Sequence, residues 1–106
     1  MKIPKTIKIG AARYRVKMEP DPFPTTGDPN SKQENVGEHL PCLRVLRISE
    51  RSYGKKIPEE SVSDTVLHEV LHAISRVYGI DLTENQVSGL TGGLMQVIRD
   101  NKLDFR

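Results

Sequence analysis

The chain is expected to fold as an α+β domain, a small twisted sheet packed on two helices. Three observations predict this. Residues 6–18 alternate apolar and charged side chains, an apolar-rich stretch at 42–49 reads as a further strand, and residues 58–78 and 84–100 repeat their apolar positions at helical spacing. A length of 106 residues suggests one domain spanning 1–106, with a core that is adequate but thin.

The first element is a hairpin. Ile7 and Ile9 stand against Lys8, and Tyr14, Val16 and Met18 against Arg13, Arg15 and Lys17, with Gly10-Ala11 between the halves. Its charged face should meet water, and Tyr14 should pack in the core. Residues 19–38 have a different texture: Pro20, Pro22, Pro24, Pro29, Gly27 and Gly37 forbid one regular element throughout, so this stretch reads as a surface loop. The strand near 42–49 follows, with Leu43, Val45, Leu46 and Ile48 broken by Arg44 and Arg47. Tyr53-Gly54-Lys55-Lys56 reads as a loop.

Pro58 with Glu59 and Glu60 then begins a helix, because proline is tolerated at a helix start and acidic side chains favour the positive end of the helix dipole. Gly79 is suited to the left-handed turn that ends it near Tyr78. Thr83 with Gln86 three residues on forms a capping box for the last helix. Val87, Leu90, Leu94, Val97 and Ile98 should pack it against the preceding one, and Gly92-Gly93 should mark a close backbone approach.

Composition excludes several classes of function. A formal charge of +2 with scattered basic residues argues against a nucleic-acid partner. The lone Cys42 excludes an internal disulfide framework and suits a reducing compartment; it reads as a small buried or half-buried hydrophobe. Lys2 and Lys5 are not followed by the apolar stretch of a leader, and no run approaches the ~18 apolar residues of a membrane span. A cytoplasmic protein is the expectation.

The chemistry concentrates at Asp64-Thr65-Val66-Leu67-His68-Glu69-Val70-Leu71-His72. On a helix turning ~100° per residue, His68 and His72 project from one face, about 40° and one turn of ~5.4 Å apart. Two imidazoles so placed can grip one metal ion. Glu69 lies about 100° round from His68, poorly set to co-ligate but near enough to take a proton from water at the metal. Projection of 61–78 puts Val66, Leu67, Val70, Leu71, Ala73, Ile74, Val77 and Tyr78 on a core arc and the histidines off it, among Ser61, Asp64, Thr65 and Ser75.

These residues resemble the zincin metallopeptidases, closely over 65–74 and more loosely through Asn101. The resemblance implies a minimal zincin-like domain, Zn2+ held by His68 and His72, Glu69 as general base and acid, and a peptide or protein substrate. It further implies that a sheet strand offers its free edge to an extended substrate, and the strand at 42–49 is the candidate. Ser75 and Tyr78 stand where the metzincin branch has a glycine and a third histidine, which excludes that branch.

Catalytic zinc takes three protein ligands and keeps a fourth position open. Glu84 is the leading third ligand, just after the turn and beside the apolar stripe of the last helix; the gluzincin branch and small phage-type members likewise draw a glutamate from a downstream helix. Asp81 is the runner-up. His39, without a spaced partner, reads as a surface residue. Tyr53 and Tyr78 are weak candidates for an oxyanion donor, and Asp64 and Asp100 for carboxylates that orient the imidazoles. A non-catalytic zinc module, or an interaction protein in which the motif is accidental, are the competing readings.

Overall fold

The structure, a computed structural model, describes residues 2–24 and 35–106. It is a small α+β domain in which a mixed four-stranded sheet carries two helices. Strands β1 (Thr6–Ile9) and β2 (Ala12–Glu19) form the expected hairpin, with Ile7 opposite Tyr14. Gly10 takes φ +57° at the first position of the two-residue turn, a conformation that favours glycine. A Cβ on Gly10 would also sit 2.8 Å from Val77 Cγ1, so the turn lies tightly against the end of the first helix.

Two further strands complete the sheet. β3 is Gly37–Leu40 and β4 is Val45–Ser49, and the order across the sheet is β1-β2-β4-β3. The strand expected at 42–49 thus begins at Val45, after a turn in which Arg44 adopts φ +53°. It also has no free edge. β4 pairs in parallel with β2 and antiparallel with β3, which is why it reads as an apolar run with Leu46 and Ile48 wholly buried. The edge belongs to β3, which opens inside the stretch read as loop. Residues 25–34 of that loop lie outside the described residues; beside them Phe23 and Asn35 exchange backbone bonds of 3.2 Å, and the Arg47 guanidinium covers the Phe23 ring at 4.1 Å. Residues 53–56, expected as loop, belong to a two-stranded ribbon, β5 (Arg51–Ser52) and β6 (Lys55–Lys56), that turns about Tyr53-Gly54, both at positive φ.

Helix α1 (Glu59–Val77) lies across one face of the sheet. Its C-terminal half buries Ala73 against Ile9, Tyr14 and Leu46, and its N-terminal half buries Val62 and Val66 against Ile48. The core arc holds except at Tyr78, which caps the helix and is 62% exposed because the chain turns away at Gly79, φ +67°.

Helix α2 (Glu84–Asn101) packs on α1 and opens with the capping box of Thr83 and Gln86. Only Val87, Thr91 and Met95 are buried along it. Leu90, Leu94, Val97 and Ile98 remain exposed, contrary to the expectation that they face α1, because the contact seam runs along 87, 91 and 95 instead. Gly92 and Gly93 meet nothing within 4 Å of an added Cβ, so no close approach explains them among the described residues. No helix there is long and apolar enough to cross a membrane.

Candidate metal centre

His68 and His72 project from α1 toward the start of α2, where Glu84 occupies the first turn. Their Nε2 atoms are 3.2 Å apart, and the Glu84 carboxylate spans them, Oε1 at 2.7 Å from His68 and Oε2 at 2.8 Å from His72. The ligand-type atoms of the three residues all lie within 4.8 Å of one another. Two nitrogens at ~2.0–2.1 Å from a tetrahedral zinc stand roughly 3.4 Å apart, so the imidazole spacing fits that ion. The carboxylate sits at hydrogen-bond length from both rings, closer than co-ligation of one ion would hold it. Asp81 does not join the cluster.

The α1–α2 connection brings Glu84 to this point. Ser75 Oγ donates to the Ile80 carbonyl and accepts from Leu82 N–H at 3.2 Å, which pins the turn. At the far end of α2, Arg99 Nη2 lies 3.1 Å from Asp64 Oδ1 and 3.2 Å from the Glu60 carbonyl. The Asp64 contact is an ion pair without the alignment of a hydrogen bond, since Oδ1 has no hydrogen-bond partner. Asp64 therefore answers Arg99 rather than an imidazole, and Asp100 accepts from Gln96, 2.9 Å away. Neither orients the histidines.

Glu69 is the unexpected member. Its position on the helix was anticipated, but not its burial: only 7% of it is exposed, beneath β3 at Gly37. A Cβ on Gly37 would fall 2.6 Å from Thr65 Cγ2 and 2.8 Å from Glu69 Oε2, so any larger residue there would force Thr65 and this carboxyl to move. Burial, then the negative charges of Glu84 and Glu38, push its pKa up from 4.5 to about 7. That is the range in which a carboxyl can both take and return a proton near neutrality.

Two adjoining concavities open around Glu69, sharing Asn35, Gly37 and His68. One, of about 360 Å³, extends past Asp64, Thr65, Ser88 and Thr91; the other, of about 420 Å³, holds His39, His72 and Glu84. The edge strand β3 borders both.

His39 is thereby moved from the surface to the cleft wall. It is half-buried, and its Nε2 lies 2.9 Å from the hydroxyl of the buried Tyr14. Burial, with the positive charges of His72 and Arg76, lowers its pKa and favours the neutral ring. The signal was its spacing of two from Gly37, which puts both on one face of a strand; the glycine-and-proline texture ahead of it hid that strand. Tyr53 is 83% exposed on the β5–β6 turn, and neither it nor Tyr78 lines the cleft. Cys42 is exposed rather than buried, because it lies in the turn before β4.

Compared with known proteins, the chain matches no protein-family profile, no curated protein and no solved structure.

Proposed function

We propose that the chain is a minimal zincin-like, zinc-dependent metallopeptidase that hydrolyses peptide bonds, with His68, His72 and Glu84 as the metal ligands and Glu69 as general base and acid. The observation that carries this reading is the convergence of two imidazoles and a carboxylate from two helices on one point, beside a buried carboxyl whose pKa is raised to about 7. Zinc, when bound, supplies the Lewis acidity that makes water a nucleophile near neutral pH and polarises a carbonyl.

The chain's own residues would do the rest. Glu69 accepts a proton from the attacking water and delivers it to the leaving amine; its enclosure under Gly37 keeps it protonatable where an exposed glutamate would be fully ionised. An extended peptide is received along β3, the edge strand at the cleft, by main-chain pairing. This transfers the substrate-binding edge from 42–49 to Gly37–Leu40.

One observation favours the alternative, a non-catalytic metal-binding or interaction module of the same fold. The Glu84 carboxylate reaches both imidazoles at hydrogen-bond length and so satisfies them by itself. Glu69→Gln separates the readings. The peptidase reading expects stoichiometric zinc by elemental analysis in wild type and variant, and cleavage of a quenched-fluorescent peptide library by the wild type alone. Equal cleavage by both proteins would refute it, and zinc without cleavage in either would favour the module.

A further inference from the structure

We propose that the outer face of α2 is the interface of a homodimer, two copies of this chain pairing face to face about a twofold axis. Helix α2 has 18 residues but buries only Val87, Thr91 and Met95. At ~100° per residue, Leu90, Leu94, Val97 and Ile98 fall within an arc of about 100° that overlaps one edge of that seam and extends beyond it. All four are exposed. The helix end extends the row: Lys102 adopts φ +50°, and Leu103 N–H donates to the Ile98 carbonyl at 3.2 Å, which turns Leu103 back over the last turn. Phe105 follows two residues on.

Area and charge together select a second copy as the occupant. Leu90, Leu94, Val97, Ile98 and Leu103 are each between 38% and 42% exposed and Phe105 is 88% exposed. Together they offer at most roughly 500–600 Å² of surface per chain, so a symmetric pairing that covered all of it would bury about 1,000–1,200 Å², the size at which a weak specific interface begins. A twofold interface must be complementary to itself, because the same patch meets its own image. The helical arc contains no charged side chain; Lys102, Asp104 and Arg106 alternate with Leu103 and Phe105 at its end, Asp104 and Arg106 paired with each other at 3.0 Å, so charge is confined to the margin of the patch. It also has a recess beside its projections: Gly93 borders Val97 and Leu90, Gly89 lies one turn before Gly93, and both glycines open onto empty space. The large side chains of one copy fit over the glycines of the other. This inference does not depend on the metal or on catalysis.

The test is the mass of the full chain in solution, by size-exclusion chromatography with light scattering and by sedimentation from about 1 to about 200 μM. The expected mass at the upper end is twice 11.9 kDa, dissociating on dilution. Leu94→Glu should weaken pairing at least about 100-fold, with helical content by circular dichroism unchanged. Leu94 stands mid-row, where a residue meets its own copy across the axis. Leu94→Cys in a Cys42→Ser background should therefore form an intermolecular disulfide on mild oxidation, a readout that survives if the glutamate variant folds poorly. A wild-type chain that stays monomeric throughout overturns the proposal. So does a dimer that persists in Leu94→Glu and gives no cross-link in Leu94→Cys, since it would use another face.

Discussion

Neutralising Glu69 in chelator-treated protein tests whether burial governs this carboxyl. In the metal-free protein its pKa stands at about 7 against an ordinary 4.5, through burial first and then the charges of Glu84 and Glu38. The folded state therefore holds the proton more tightly than the unfolded chain. Its contribution to stability is complete below pH 4.5 and is lost as the pH rises through about 7. Between those values, at ~1.4 kcal/mol per pH unit, the loss amounts to about 3 kcal/mol, a large fraction of the ~5–15 kcal/mol by which a domain is stable. Glu69→Gln carries no titrating proton. Urea unfolding of metal-stripped protein from pH 4.5 to 8.5 should show wild type and variant converging at the acid end. The variant should be more stable by about 3 kcal/mol at the alkaline end. His39, whose pKa is lowered, loses stability in the opposite direction as the pH falls, but it is present in both proteins and drops out of the difference. A difference that stays flat across the range, or a variant that is the weaker protein at pH 8, would refute the assignment of a buried, proton-holding Glu69.

Three other perturbations follow from particular contacts. Gly37→Ala drives a methyl to within 2.6 Å of Thr65 Cγ2 and 2.8 Å of Glu69 Oε2, so it should cost about 1–3 kcal/mol in thermal or urea unfolding. On the proposed peptidase reading it should also depress cleavage with zinc content retained; unchanged stability together with unchanged cleavage would contradict the packing. On the proposed ligand set, Glu84→Ala should lower zinc affinity by at least ~100-fold in chelator competition, because loss of a ligand outweighs loss of a supporting bond. With zinc at ~100 times its dissociation constant, chelation should lower the wild-type melting temperature by roughly 10–20 °C, and zinc should leave the variant's melting nearly unmoved. Tyr14→Phe removes the partner of His39 Nε2 in a half-buried setting and should cost about 1 kcal/mol of stability, read from the urea midpoint.

The readings that succeeded were local. The hairpin, both helices, the Thr83–Gln86 cap and the left-handed Gly79 depend on residues within a few positions of one another, and each was present as a short pattern. The convergence of Glu84 on His68 and His72 followed from a short connection between antiparallel helices, which leaves few carboxylates within reach. Apart from the short ribbon at 51–56 and the exposed Cys42, the readings that failed concerned partners distant in the chain. The expectation of an edge at β4 fails because its own five residues do not reveal that β2 and β3 close on both sides of it. Leu90, Leu94, Val97 and Ile98 depart from the α1 seam because periodicity identifies an apolar arc without saying which part of it meets a neighbour.

By itself the sequence determined which side chains share a helical turn. A spacing of four residues is enough to align two imidazoles whatever the helix packs against, so the pairing of His68 with His72 needed no knowledge of the sheet. Only the tertiary structure decided that Glu69 is enclosed beneath Gly37 and that His39 leans on Tyr14 at the cleft wall. Burial and its effect on protonation depend on the dielectric and charges that distant segments bring near. Here those segments are β3 and the start of α2, each set beside α1 by pairing and packing that no local window of residues contains.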